Sequence, residues 1–247
     1  AERNETDFSL TIIHTNDIHS RLLPFDSEGR DCSFENKKCA GGTARLVSVI
    51  ENRREKDPDV LVFDAGDRFT GTLFYTLHKS RDISMLMNAA GYSAMTLGNH
   101  DFDDGTAELE RFARSVSAPI VAANVVFPDS SYLRRAVRPF ALFELKGKKV
   151  GVTGVVTPDT SFSPAAKGVS FLPVRDALDK AVREMREEGA DVIVVLSHLG
   201  LEEDKRLAAT TEDIDIIVGG HSHSLLTNDE KAEGRQGPYP VVVKAPD

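Results

Sequence analysis

Five short clusters of histidine, aspartate and asparagine punctuate the chain, each following a run of apolar residues. They are Asp17 with His19, Asp67, Asn99 with His100, His198, and His221 with His223. Imidazole nitrogens and carboxylate oxygens are the donors that hold divalent transition metals, and an amide oxygen ligates without cancelling positive charge. Five of the seven histidines fall in these clusters, which chance placement would not produce. The donor mixture suits zinc, manganese or iron better than calcium and contains no thiolate. Singly, each cluster has an ordinary reading: Asp-x-His as a polar strand end, Gly-Asp as a common turn, Gly-Asn-His as a turn with a left-handed Asn. Together, and in this order, they point to a metal site.

Each cluster needs an element to carry it. Residues 10–15, 60–63, 94–97, 192–196 and 214–218 read as buried strands, with a further strand at 119–122. Helical patterns lie at 43–56, 83–90, 106–116, 174–188 and 201–209, with Gly91 as a helix stop. Residues 140–145 and 149–156 flank Lys146-Gly147-Lys148 as a hairpin, and 241–243 would open another strand. Strand–helix alternation argues for parallel strands covered by helices, and the hairpin adds antiparallel pairing. The expectation is a layered α/β domain with mixed sheets. Ligands in such sheets collect at the carboxyl ends of strands, so clusters distant in sequence would meet along one edge. If strand geometry persists to Asp17 and His19, their spacing of two puts them on one face.

A chain of 247 residues with 40% hydrophobic content supports one large core or two small ones. No linker or repeat divides it, which favours one domain over residues 1–247. A formal net charge of −9 gives no general attraction for nucleic acid or an anionic membrane, so a phosphate substrate would need local metal charge. No apolar run approaches the ~20 residues of a bilayer span. Cys32 and Cys39 sit in a polar loop with Asn36 and Lys37. They read as a short disulfide loop, or as two surface thiols; the disulfide reading points to a secreted, periplasmic or cell-surface protein. The Ala1-Glu2-Arg3 start fits a mature form after signal removal, and equally a trimmed chain. Oligomeric state is not legible.

The clusters, in the forms Thr15-Asn16-Asp17-Ile18-His19-Ser20-Arg21, Asp64-Ala65-Gly66-Asp67, Gly98-Asn99-His100-Asp101-Phe102-Asp103, Ser197-His198-Leu199-Gly200 and Gly219-Gly220-His221-Ser222-His223, resemble the calcineurin-like metallophosphatases. Asn-His-Asp-Phe-Asp and Gly-Gly-Thr-Ala-Arg-Leu narrow the resemblance to the 5′-nucleotidase family, over nearly the whole chain. It implies a four-layer α/β/β/α sandwich and two divalent ions, zinc or manganese first, with magnesium or iron as alternatives. By resemblance, Asp17, His19, Asp67 and His223 hold one ion, and Asp67, Asn99, His198 and His221 the other, with Asp67 bridging. His223 departs from relatives with Gln or Asn there. His100 and Asp103 resemble the family's catalytic pair, with Asn99 and His100 at the substrate phosphate. The family also carries a C-terminal domain that holds base and ribose. This chain stops at Asp247, before that domain and before the last strands of the first.

The implied activity is hydrolysis of nucleotide phosphates, as in 5′-nucleotidases or apyrases. Two ions would lower the pKa of water to supply hydroxide and neutralise phosphoryl oxygens during in-line attack. Asp103 beside His100 favours the imidazolium, which would donate to a phosphoryl or leaving oxygen; the bland alternative is a helix cap. Competing readings keep the metals but change the substrate to nucleotide sugars, cyclic nucleotides or sulfur-linked groups, or make the chain a metal-stabilised binding module. No nucleic acid polymer is expected as partner. His14 reads as packed, and His78 has no assigned role. Asp64 and Asp101 read as supports for ligands or as solvated turn carboxylates, and Arg68 as a surface ion pair.

Overall fold

In the computed structural model, which describes residues 8–26, 28–32 and 38–243, strands with alternating faces build two main sheets, with apolar layers between them and on their outer faces. The Ala1 start, Asn36, Lys37 and the Asp247 end lie outside the described residues. The chain opens with β1 (Ile12–Thr15), α1 (Thr43–Lys56), β2 (Leu61–Asp64), α2 (Leu73–His78), α3 (Ser80–Ala90) and β3 (Ala94–Met95). It continues through α4 (Gly105–Ser115), β4 (Ile120–Val121), β5 (Val125–Val126), α5 (Leu133–Ala136), β6 (Val137–Arg138), β7 (Phe140–Leu145) and β8 (Lys148–Val156). It closes with β9 (Ser170–Phe171), α6 (Val174–Glu187), β10 (Val192–His198), α7 (Leu201–Thr210), β11 (Ile216–Gly219), β12 (Leu225–Leu226) and β13 (Arg235–Gly237).

The first sheet has the order β1-β2-β3-β4-β6, and all its pairs are parallel. The second has the order β11-β10-β8-β7, parallel except for the β7–β8 hairpin. Strand alternation sorts the side chains into layers. Leu61, Phe63, Ala94 and Val121 from the first sheet meet Val150, Val152, Val194, Leu196 and Val218 from the second, so the sheets pack face to face. Val62, Met95 and Ile120 point the other way, onto Ile50 of α1, Ile83 and Met87 of α3, and Leu109 and Phe112 of α4. On the far side, Val155, Val195 and Ile193 meet Leu178, Val182 and Met185 of α6 and Leu207 of α7. Each such fully buried side chain contributes roughly 1.5–3 kcal/mol. The result is the expected α/β/β/α order of layers.

Local chemistry explains most boundaries. α3 stops at Gly91, whose φ of 64° and N–H bonds to Met87 and Asn88 carbonyls form a left-handed cap. α1 ends at Asp57, ahead of Pro58, with Arg53, Arg54 and Lys56 in its last turn. Two expectations differ. β3 covers only Ala94–Met95, because the chain leaves the sheet to bring Gly98 against Asp67. Residues 241–243 form no strand; a small parallel pair of β12 with β13 precedes them instead. Cys32 and Cys39 are joined in a disulfide. Among the described residues, no helix is long and apolar enough to cross a membrane.

Candidate metal centre

The ends of β1, β2, β10 and β11, with the turn after β3, converge where the two sheets meet. Asp17, His19 and His223 each offer one donor atom within 4.8 Å of the others, and so do Asp67, His198 and His221. Each group draws on both sheets. The groups adjoin through Asp67, whose Oδ2 lies 3.1 Å from His198 Nε2 and 3.8 Å from His19 Nε2. Its other oxygen, Oδ1, accepts the backbone N–H of His100 at 2.8 Å. Asp17 Oδ1 stands 3.2 Å from His223 Nε2 and 3.9 Å from His198 Nε2.

The donors fit divalent ions by their own chemistry. His198 Nδ1 donates to the Ala65 carbonyl at 2.6 Å, and His19 Nδ1 to the Phe69 carbonyl at 3.2 Å. Each bond places the proton on Nδ1 and leaves the Nε2 lone pair facing the site, as a ligating histidine requires. Asn99 Oδ1 is buried without a hydrogen-bond partner, which a folded protein rarely tolerates unless something else binds there. Burial lowers the pKa of His221 and favours its neutral, ligating form.

Strand geometry carries His198, the last residue of β10, but not Asp17 and His19, contrary to the one-face expectation for that pair. β1 ends at Thr15, and Asp17 and His19 have φ of 50° and 47°. Asp67, His221 and His223 are likewise left-handed, at 59°, 73° and 50°. Such residues cost on the order of 1–3 kcal/mol each and persist only where surroundings over-determine them. Here the first two turns brace each other: Asp17 N–H bonds the Gly66 carbonyl, His19 N–H that of Asp67, and Ser20 N–H that of Arg68. Bare backbone is required alongside. A Cβ on Gly98 would collide with Asp67 Oδ1, and one on Gly220 would come within 3.1 Å of Asp17 Oδ2 and His198 Nδ1.

His100 Nδ1 donates to Asp103 Oδ2 at 2.8 Å on the open side of the site, with its ring 5.4 Å from that of His19. Burial disfavours the His100 imidazolium. The Asp103 bond and the charges of Asp67 and Asp103 outweigh it and hold the His100 pKa above the usual histidine value.

Arg68 is not a surface group. Its side chain is fully buried and paired with Asp64 and Asp101, themselves buried rather than solvated. His14 is half-buried with Nε2 3.1 Å from the Tyr239 hydroxyl, and His78 lies beside Asp82 and the Phe74 ring, away from the donor groups. Sequence reasoning missed Asn16, whose amide donates to Asp17 Oδ2 at 2.6 Å. It also missed the two crowding glycines, since a close approach of backbones leaves no periodic signal.

A family profile described as calcineurin-like phosphoesterase matches residues 10–225, and the chain belongs to that family. Within it, the chain is 35% identical over 246 residues to 5′-nucleotidase from Bos taurus, an alignment covering 97% of this chain and 43% of that protein. The 5′-nucleotidase precursor from Thermus thermophilus superposes with a TM-score of 0.89 at 38% identity, over 97% of this chain and 47% of that one. The NAD nucleotidase of Haemophilus influenzae gives 0.86 at 32% identity, over 96% and 43%. The chain thus spans less than half the length of these relatives. Family membership implies divalent metal ions, and the two donor groups are candidate positions for them.

Proposed function

We propose that this chain carries the catalytic machinery of a two-metal phosphoesterase that hydrolyses nucleotide phosphates. The observation that carries the reading is Asp67 Oδ2, facing one histidine of each donor group, with the His100–Asp103 pair beside it. Asp17, His19, Asp67 and His223 would hold one ion; Asp67, Asn99, His198 and His221 would hold the other. Imidazole, carboxylate and amide donors favour Zn²⁺ or Mn²⁺. When bound, such a pair lowers the pKa of water and neutralises phosphoryl charge.

The protein's own residues do the rest. Asp67 is fixed by the His100 N–H, so one oxygen is left to serve both groups. Asn99 adds a donor without adding charge. Asp103 holds the His100 proton on Nδ1 and favours the imidazolium, so the opposite ring nitrogen can donate to a phosphoryl oxygen or to the leaving oxygen. Recognition of base and ribose is assigned, by the resemblance, to a further domain and not to these residues. The disulfide suits an oxidising setting: secreted, periplasmic or cell-surface. The likeness to an NAD nucleotidase adds a dinucleotide as a second substrate reading.

The test is phosphate release from AMP, ADP, ATP and an aryl phosphate by metal-stripped protein given Mn²⁺, Zn²⁺ or Mg²⁺. Release restored by metal is expected, and His100→Asn should lower kcat by ~10²–10⁴-fold with both ions retained. A folded protein that binds two ions and releases nothing would point to reliance on a further domain or to a non-catalytic role.

A further inference from the structure

Behind the donor groups lies a buried polar chain that the proposed chemistry does not use. Asp101 is 1% exposed, and its carboxylate collects donors from two separate turns. Oδ1 accepts the N–H groups of Arg68 and Phe69, at 3.0 and 3.4 Å, from the turn that bears Asp67. Oδ2 accepts the N–H of Gly98 at 2.9 Å, in its own turn, which bears Asn99 and His100. Oδ2 also takes Nη1 of Arg68 at 2.7 Å.

Arg68 extends the connection. Its guanidinium reaches Asp64 Oδ1 with Nε at 3.2 Å and the Thr96 carbonyl with Nη2, and lies over the Phe112 ring. Asp64 Oδ2 accepts from the Thr15 hydroxyl at 2.7 Å, and Thr15 in turn accepts from the Tyr92 hydroxyl at 2.7 Å. Thr15, Asp64 and Thr96 lie just ahead of the turns that bear Asp17, Asp67 and Asn99. One planar, five-donor group therefore ties the ends of β2 and β3 together, and through Asp64 it reaches β1. A lysine, with a single point charge, could not span the same three acceptors.

The geometry points to Arg68 and Asp101 as positioning residues that lock the Asp67 turn to the Asn99–His100 turn independently of any ion. They thereby set where the donors of the Asn99-bearing position stand. This rests on the two-metal reading above. The lock binds the Asn99 turn directly, through the Gly98 N–H, but reaches His19 only through the backbone carbonyls of Asp67 and Phe69 and makes no bond to His223, so the two positions should respond unequally when it is broken. A merely structural ion pair would weaken the whole fold and leave metal binding even-handed.

Mn²⁺ titration of metal-stripped protein, counting free ion by electron paramagnetic resonance, separates these cases. The unaltered protein should bind two ions. Asp101→Asn keeps the side chain's shape but turns an amide nitrogen toward backbone N–H groups that now find an oxygen. It should weaken one ion by about 10–100-fold and leave the other within about threefold, with the exchange-coupled signal of the loaded pair lost or altered. Arg68→Lys, which keeps the buried charge, should show the same asymmetry to a lesser degree. Two folded variants with unaltered affinity for both ions would overturn the inference. So would loss of fold in both, because the network would then be scaffold for the whole domain. If the unaltered protein takes up fewer than two ions, the two-metal reading itself fails before any variant is compared.

Discussion

Asp204 shows how closely polar atoms are packed behind the site. It lies in the first turn of α7, accepts a hydrogen bond from Ser197, and fills the space where a side chain at Gly219 would go. Burial raises its pKa to about 6, and the Ser197 hydrogen bond only partly opposes this. In the unfolded chain the carboxyl titrates near ~3.9. Between those values the folded protein holds a proton that the unfolded chain has lost, so the contribution of Asp204 to stability falls as pH rises from about 4 to about 6. The full difference is about 2–3 kcal/mol. Urea unfolding of metal-stripped protein at pH 4 and pH 7 should show Asp204→Asn losing less stability across that interval than the unaltered chain. Equal losses would assign the slope elsewhere. Asp64, also raised to about 6 by burial, is present in both proteins and drops out of the comparison. At this scale the ligand-type residues were legible because their types are rare and chemically specific. The burial of Arg68 was not, since a charged residue after a Gly-Asp turn is a surface residue by every local rule.

Elements separate into those that hold the site and those that only support them. The strands that deliver ligands were legible as apolar runs, and the amphipathic spacing of α6 marked it as a covering helix. α2, α5, β5, β6 and β9 left no usable signal: the strands are two residues long and the helices six residues or fewer. Strand ends were overextended in the reading because apolar composition continues through Leu97, where the backbone has already turned away. α6 makes the distinction testable. Met185 is fully buried against β8 and β10, on the face away from the ligand turns. Met185→Ala should cost about 2–5 kcal/mol of unfolding free energy, as a buried cavity does, while Mn²⁺ stoichiometry at 25 °C stays unchanged. A variant that keeps its stability but loses an ion would show that α6 positions the centre directly.

For the molecule as a whole, the layer order followed from strand–helix alternation only in part. Alternation argued for mixed sheets, but the face-to-face packing of two sheets came from the family resemblance, because both inner faces are simply apolar. Metal and fold should be coupled at this scale. An ion that binds the folded chain alone adds about 2.7 kcal/mol at a hundredfold excess over its Kd. For a domain of this size each kcal/mol moves Tm by about 2–4 °C. Chelation should therefore lower Tm by at least about 5 °C per lost ion in a thermal melt, and an unchanged Tm would mean that the donor groups hold nothing tightly.

Each donor group combines a residue near the start of the chain with one near its end: Asp17 and His19 with His223, and Asp67 with His221. An ion seated there would fasten the first strand to the last ligand turn like a clasp on a closed case. Under tension applied between β1 and the segment that follows β11, that clasp would lie in the path of the load. Rupture force would then report how many ions are bound, and a cell that starved this protein of metal would also leave it easier to pull open.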